Sequence, residues 1–248
     1  MLNSPQLVRF RTRYDRYREH FRRLGFSRPR LFVFVVTYGR TGSTLLQKLL
    51  NSADGVYVSG ENHDVLRGLF EACRNARIAL GGFGQHCKSI DDPWHGAFMV
   101  DPDTLERRLA DAFLAAVLRP PRGHDVVGFK EIRYLVPDLA EQLEFMARVF
   151  VPAVFVFNRR DVGAVSRSAW WRNEDPEVLA RKIEAFDAAT DAFARAHPNC
   201  CVKLDYDEWT RDPLRLRPMF DLINRRFDAR KVENVLRVRL DHLQDDWT

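Results

Sequence analysis

The chain has 248 residues, of which 46% are hydrophobic, 29% charged and 12% aromatic. This length and composition predict one globular domain with a large buried core. The longest apolar runs, Leu31–Val36 and Val149–Phe157, are far shorter than the roughly 18 to 20 residues that a membrane helix needs. The sequence therefore predicts no transmembrane segment.

The formal net charge is +5, and 33 of the 39 basic residues are arginine. The planar guanidinium group binds phosphate or sulfate through two parallel hydrogen bonds, so this composition suits anionic ligands. The first thirty residues hold nine arginines against two acids, Asp15 and Glu19. Charge alone leaves nucleic acids, membrane surfaces and anionic metabolites open as partners.

The N-terminus has neither the apolar stretch nor the small-residue cleavage site of a secretory signal. The four cysteines show no CxxC spacing, and no histidine and cysteine cluster has the spacing of metal ligands. We therefore expect a cytoplasmic protein with reduced thiols and no metal. The cysteines are Cys73, Cys87, Cys200 and Cys201.

Hydrophobic periodicity predicts alternating strands and helices behind an amphipathic, basic N-terminal helix. Unbroken apolar runs are typical of strands that are buried on both faces of a parallel sheet. The predicted strands are 31–37, 56–59, 125–130, 153–157 and 200–204. The predicted helices between them are 44–50, 63–79, 102–118, 137–149, 162–171 and one that begins at 176.

This alternation predicts a single α/β domain over residues 1–248, with a central parallel β-sheet flanked by helices. Within it we expect the basic helix over 1–27, the core over 31–210 and C-terminal helices over 211–248. The glycine-rich loop after the first strand indicates a P-loop-like nucleotide-binding cradle.

A glycine-rich loop, Tyr38–Ser43, joins the first predicted strand to its helix. The backbone N–H groups of such a loop, together with the positive end of the helix dipole, form a nest that binds anions. Gly39 and Gly42 allow the backbone to approach a ligand closely. Hydroxyl groups that can donate to phosphate oxygens belong to Thr41, Ser43 and Thr44.

A P-loop kinase that phosphorylates a small molecule with ATP and Mg²⁺ is the alternative interpretation of this loop. Such proteins carry a Gly-Lys pair, which occurs nowhere in this chain. The sequence Phe157-Asn158-Arg159 also lacks the acid that helps to hold Mg²⁺. Arg40 instead supplies a cation early in the loop, where it can reach a 5′-phosphate.

Two segments resemble the nucleotide motifs of sulfotransferases that use 3′-phosphoadenosine 5′-phosphosulfate (PAPS). Tyr38–Thr44 is similar to their 5′-phosphosulfate loop, with the arginine that protein-tyrosine and several bacterial members carry in place of lysine. Arg160–Ser168 is similar to their 3′-phosphate motif, in which an arginine at a strand end and a serine eight residues later, on the following helix, bind the ribose 3′-phosphate. Arg159 and Ser166 are near alternatives for these two roles.

The resemblance implies transfer of a sulfonate group from PAPS to a hydroxyl acceptor, without an obligatory metal. The residues implied to bind the donor are Arg40, Thr41, Gly42, Ser43, Thr44, Arg160 and Ser168.

The resemblance also implies the catalytic residues Glu61, Arg40 and Lys130. Glu61 matches the glutamate base of protein-tyrosine and several carbohydrate sulfotransferases, which lies in a similar Gly-Glu context, and Ile132 occupies the position of the histidine that cytosolic members use. Lys130 would act with Arg40 on the sulfonate and the leaving phosphate. Glu131 and the histidines stay open as alternative bases.

The acceptor is predicted from weaker signals. A loop from Phe83 to Phe98, rich in glycine and aromatic residues, suits a lid over an acceptor as well as it suits a plain surface loop. A saccharide is the favoured acceptor, since aromatic faces stack on sugar rings. Trp170 and Trp171 could stack on adenine. The expected partners are thus the nucleotide donor and a hydroxyl-bearing acceptor rather than nucleic acid, and the oligomeric state is left open.

Overall fold

The structure, a computed structural model of the chain, describes residues 29–87 and 89–237. Five parallel strands form one sheet in the order β2-β3-β1-β4-β5. The strands are β1 (Leu31–Val36), β2 (Val56–Ser59), β3 (Val126–Glu131), β4 (Ala153–Arg159) and β5 (Cys201–Asp205). The helices are α1 (Ser43–Asn51), α2 (Val65–Ile78), α3 (Pro102–Phe113), α4 (Leu139–Val149), α5 (Val162–Ser166), α6 (Pro176–Ala196), α7 (Tyr206–Trp209), α8 (Arg217–Leu222) and α9 (Ala229–Arg237).

The helices cover both faces of the sheet and give it two apolar cores. On one face, α2, α3, α4, α5 and α6 pack against a phenylalanine-rich core. On the other face, α1, α7, α8 and α9 pack against a core of smaller aliphatic residues and Trp209. All six residues of β1 are buried, and they alternate between the two cores. The prediction of a central parallel sheet flanked by helices is therefore confirmed.

The centre of the sheet is closely packed at the pairing of β1 with β3. Gly128 lies opposite Val33 in this register. A Cβ atom at position 128 would overlap the backbone of Val33, so only glycine fits. This contact fixes β3, and the polar residues at its end, against β1.

The strand order explains where a ligand site can form. All five strands are parallel, so their carboxyl ends lie along one edge of the sheet. The connection after β1 runs to β2 on one side of it, whereas the connection after the neighbouring strand β4 runs to β5 in the opposite direction. This is the switch point at which open α/β sheets bind ligands. The loop that follows β1 lies there.

Two of the predicted helices that differ from the structure at their ends do so beside predicted site residues. The helix predicted over 63–79 begins at Val65, because His63 and Asp64 adopt left-handed backbone conformations with φ of 59° and 54°. The helix predicted over 162–171 ends at Ser166, and a 3-10 turn follows at Ala169–Asn173. Loops rather than helices therefore place the side chains of His63 and Ser168.

Parts of the predicted domain plan lie outside the described residues. These parts are the basic helix over 1–27 and the last eleven residues of the C-terminal helices. Within the described ranges, no helix combines the length and the apolar character needed to cross a membrane.

Candidate active site

The segment Tyr38–Gly42, hereafter the phosphate loop, connects β1 to α1 at the switch point. Arg40 and Gly42 have φ of 72° and 74°, and this pair of left-handed residues turns the chain sharply into the helix. No side chain of the described ranges caps the N-terminus of α1, and its first turn contains no acid. The first N–H groups of α1 are thus available to an anion, as the sequence predicts.

A buried polar network holds the phosphate loop from behind. The Asn158 side-chain amide donates to the Thr41 carbonyl oxygen at 2.7 Å, and the Trp209 indole donates to the Asn158 amide oxygen at 3.0 Å. The hydroxyl groups of Thr37 and Thr41 lie 2.7 Å apart, and both side chains are fully buried. The Thr41 hydroxyl therefore faces the protein interior, whereas the sequence predicts that it donates to a phosphate oxygen.

Two tryptophans cover the phosphate loop from the opposite side. The Trp171 indole donates to the Gly39 carbonyl oxygen at 3.1 Å, and the Trp170 ring lies so close that a Cβ atom at Gly39 would overlap it. Trp171 thus fixes the loop. Trp170 is 52% exposed beside it.

The two predicted phosphate segments meet in space. Arg160 follows β4, and its guanidinium donates from Nη1 to the Arg40 carbonyl oxygen at 2.9 Å. The Arg40 guanidinium in turn donates from Nε to the Ser168 hydroxyl at 2.8 Å. Arg40, Arg160 and Ser168 therefore form one cluster, although 128 positions separate its ends in sequence.

The near alternatives for the 3′-phosphate role are engaged elsewhere. Arg159 binds α6, with an ion pair from Nε to Asp187 at 2.9 Å and a close contact to Asp191. The Ser166 hydroxyl donates to the Gly163 carbonyl oxygen within the turn of α5. The geometry thus favours Arg160 and Ser168.

Tyr206, at the start of α7 just after β5, is a site residue that sequence reasoning missed. Its ring lies so close to Gly42 that a Cβ atom at position 42 would overlap the ring. The Arg160 guanidinium lies 4.5 Å from the centroid of the same ring. Such cation–π contacts orient an arginine while leaving its hydrogen-bond donors free. The position of Tyr206 just after the last predicted strand was the signal that could have identified it.

The cluster fits a phosphorylated ligand. The Nε atom of Arg160 is buried and has no hydrogen-bond partner among the residues that the structure describes. A buried guanidinium donor without an acceptor is costly, and a phosphate oxygen would satisfy it. The uncapped N-terminus of α1 lies one loop away, so the site offers donors for two separate anionic groups.

Glu61 and Lys130 come together at the carboxyl ends of β2 and β3. Lys130 Nζ lies 2.5 Å from Glu61 Oε1, and the lysine side chain is only 5% exposed against 36% for the glutamate. Arg133 approaches the other carboxylate oxygen of Glu61 at 3.8 Å. An antiparallel bridge between Tyr38 and Arg133 joins this group to the phosphate loop.

Glu131 is placed differently from Glu61. Its side chain is completely buried, and its carboxylate accepts from backbone N–H groups and from the Arg133 guanidinium at 3.1 Å. His63, another alternative base, lies exposed in the same loop as Glu61.

The aromatic segment Phe83–Phe98, for which the sequence leaves a lid and a surface loop equally open, lies beyond α2. Phe83 and Trp94 stack with their centroids 4.1 Å apart, and both are nearly half exposed. Because α2 has fourteen residues, it separates the Glu61 loop from this aromatic segment by about 20 Å.

No group of three or more histidine, cysteine, aspartate or glutamate side chains in the described ranges could hold a metal ion. Cys73, Cys87, Cys200 and Cys201 are all free thiols.

Comparisons with solved structures identify the fold. The sulfotransferase domain of the Synechococcus PCC 7002 olefin synthase superposes with a TM-score of 0.56 at 19% identity, covering 88% of this chain and 80% of that one. The sulfotransferase domain of the curacin biosynthetic pathway superposes with a TM-score of 0.51 at 13% identity, covering 86% and 80%. The comparison with curated proteins gives no match.

The family follows from a sequence model. Residues 33–218, most of the chain, match the model of the sulfotransferase family. The matched range contains the phosphate loop, Glu61, Lys130, Arg160 and Ser168. The match supports a sulfotransferase over the alternative of a P-loop kinase. The chain therefore belongs to the sulfotransferase family, whose sulfonate donor is PAPS.

Proposed function

We propose that this site transfers a sulfonate group from PAPS to a hydroxyl acceptor, with the donor held between the phosphate loop and the segment Arg160–Ser168. One observation carries the proposal, the contact of Arg160 and Ser168 with Arg40. It joins two anion-binding turns that follow different strands. PAPS carries a phosphosulfate at its 5′ end and a phosphate on its 3′ oxygen, so it has one anionic group for each turn.

The two arginines of the cluster bind different phosphates of the donor. Arg160 and Ser168 bind the 3′-phosphate, which distinguishes this donor from other adenine nucleotides. The first N–H groups of α1 and the Arg40 guanidinium bind the 5′-phosphate and stabilise the charge that grows on its bridging oxygen. Arg40 connects the binding positions of the 5′-phosphate and the 3′-phosphate. Its backbone lies in the phosphate loop, and its guanidinium donates to the Ser168 hydroxyl.

Glu61 removes the proton of the acceptor hydroxyl. The acceptor oxygen forms a bond to sulfur in line with the bond that breaks between sulfur and the 5′-phosphate oxygen, and the proton passes to the Glu61 carboxylate. Lys130 holds that carboxylate at 2.5 Å before the reaction. Its ammonium group then lies where it can neutralise negative charge on the leaving phosphate.

We further propose a saccharide acceptor and a cytoplasmic location. The exposed Phe83–Trp94 stack offers an aromatic surface for sugar rings, and an oligosaccharide is long enough to contact both this stack and Glu61 across α2. The four free thiols suit a reducing compartment. Turnover assays with labelled donor, in which saccharides compete with phenols and peptides as acceptors, test the acceptor class.

Calorimetry with 3′-phosphoadenosine 5′-phosphate (PAP) and with adenosine 5′-monophosphate (AMP) tests the donor site. Arg160→Ala should weaken PAP binding roughly 10- to 100-fold, because it removes a charge-assisted pair, and should change AMP binding little. Arg167→Ala is the matched control, since Arg167 is exposed on the same segment. A wild-type protein that binds AMP as tightly as PAP, or an unchanged PAP affinity in Arg160→Ala, would refute the assignment.

A further inference from the structure

We infer that Glu131 is a positioning residue that fixes the catalytic base by holding the backbone of the loop Gly60–Asp64, hereafter the base loop. The inference rests on the proposed function, in which Glu61 takes the proton of the acceptor.

The hydrogen bonds of Glu131 carry the inference. Its Oε2 atom accepts from the backbone N–H of Asn62 at 3.3 Å and of Asp64 at 2.9 Å. Its Oε1 atom accepts from the N–H of Ile132 at 2.8 Å and from the Arg133 guanidinium at 3.1 Å. One carboxylate thus ties the residue directly after Glu61 to the end of β3.

The base loop is held from both sides of one strand. Successive side chains of a strand point to opposite faces. Lys130 therefore reaches the Glu61 carboxylate from one face, and Glu131 reaches the loop backbone from the other. The charged end of the base and its main chain are both fixed to β3, so the position of Glu61 depends on two adjacent residues.

The conformation of the base loop requires such support. His63 and Asp64 are consecutive non-glycine residues with positive φ, a backbone conformation that is strained for residues with a Cβ atom. The Glu131 carboxylate accepts from the N–H of Asp64, the second of these residues. Without this contact, we expect the loop to relax and Glu61 to leave its place beside Lys130.

The same geometry separates this role from that of a base. The Glu131 side chain is completely buried, and its two carboxylate oxygens accept from three backbone N–H groups and from the Arg133 guanidinium. A base must reach the hydroxyl proton directly or through one water. Glu61, 36% exposed beside Lys130, meets that requirement, and Glu131 acts through it.

A double-mutant cycle of Glu61→Gln and Glu131→Gln tests the inference. We expect Glu131→Gln to lower kcat roughly 10- to 100-fold with the affinity for PAP unchanged, because an amide cannot accept from all four donors. Glu61→Gln should lower kcat roughly 100- to 10,000-fold. If Glu131 acts through Glu61, the double variant should be no slower than Glu61→Gln alone.

Glu106→Gln is the matched control. Glu106 is another buried glutamate, paired with Arg77 and Arg148 far from the base loop, so its variant should lose stability while keeping the wild-type kcat. Glu131→Asp keeps the charge, should recover part of the turnover lost in Glu131→Gln, and completes the cycle if the glutamine variant does not fold.

The outcomes distinguish the inference from its premise. A wild-type kcat in Glu61→Gln would overturn the proposed base, and the inference with it. An inactive Glu61→Gln combined with a wild-type kcat in folded Glu131→Gln or Glu131→Asp would overturn the inference alone. So would losses that multiply in the double variant, since they would show that Glu131 acts independently of Glu61.

Discussion

The pKa values of Asp64, in the base loop, and of Asp138, in contact with Arg67 of α2, shift in opposite directions. Burial, and then the charge of Glu131, raise the pKa of Asp64 to about 6. Hydrogen bonding from Arg67 holds the pKa of Asp138 below its ordinary value. Arg67 binds both Asp138 oxygens, at 2.6 and 2.8 Å, whereas Asp64 Oδ1 is buried without a partner in the described part of the chain.

Asp64→Asn should stabilise the protein at pH 7 to 8. Because folding raises the pKa of Asp64, its contribution to stability is fully present below about pH 4 and is lost as the pH rises through about 6. An asparagine removes the charge, tolerates the left-handed conformation, and should raise the free energy of unfolding by about 1 kcal/mol, a value reduced to allow for solvent screening. Thermal melts at pH 8 and pH 4 measure this gain, which should nearly vanish at pH 4.

Asp138→Asn is the control of opposite sign. Its lowered pKa means that the carboxylate stabilises the fold at neutral pH and loses this effect as the pH falls through its folded pKa. The variant should therefore melt lower than wild type at pH 8. A lower melting temperature for Asp64→Asn at pH 8 would contradict the assignment for Asp64.

Some residues of the site can be predicted from the sequence, and others depend on contacts that only the fold creates. Arg160, Ser168, Glu61 and Lys130 could be proposed because the segments that contain them resemble motifs of sulfotransferases. The inward hydroxyl of Thr41 could not, since its direction depends on Thr37 and Asn158, which only the folded sheet brings near. The hydrogen bonds of Glu131 depend in the same way on the pairing of β2 with β3.

At the scale of elements, side chains from two different parts of the fold hold the phosphate loop in place. Asn158 at the end of β4 binds it from below, and Trp171 in the turn after α5 binds it from above. A loop that must present several N–H groups to one anion benefits from such restraint, because an ordered site loses less entropy on binding.

Trp171→Phe should weaken PAP binding roughly fivefold, since it removes the hydrogen bond to Gly39 while keeping an aromatic ring. Trp170→Phe is the matched control, because the exposed Trp170 touches the same glycine through ring atoms only. Calorimetry with PAP compares the two variants. Equal affinities would show that the indole hydrogen bond does not restrain the loop.

Element boundaries near the site were the part of the fold that periodicity could not predict. The pattern over 162–171 favours one helix, yet Ala169 adopts a φ of 49° and the helix stops before Ser168. That break turns the Ser168 hydroxyl towards Arg40. Contacts with another part of the sheet, rather than local propensity, decide the conformation here, and no window of sequence contains them.

At the scale of the whole molecule, positive charge collects at one edge of the sheet. Arg40, Lys130, Arg133 and Arg160 all lie at carboxyl ends of strands, and Glu61 and Glu131 neutralise only part of their charge. With a formal net charge of +5 for the chain, the site should attract a donor that carries several negative charges.

The affinity for PAP should therefore fall several-fold when the salt concentration rises from about 50 mM to about 500 mM, since salt screens long-range attraction. AMP, which lacks the 3′-phosphate, should show a shallower dependence. Calorimetry at three or more salt concentrations gives both slopes. Parallel slopes for the two nucleotides would indicate that the 3′-phosphate does not meet the cationic cluster.

Two consecutive halves of the chain supply the two sides of the site, because each half forms one side of the sheet. Residues up to Val149 supply β1, β2 and β3 with the phosphate loop and the base, whereas later residues supply β4 and β5 with Arg160, Ser168 and Tyr206. The halves meet where β1 pairs with β4, and a nucleotide bound across that junction contacts both. If the donor binds across this junction as proposed, its binding free energy opposes the separation of the two halves.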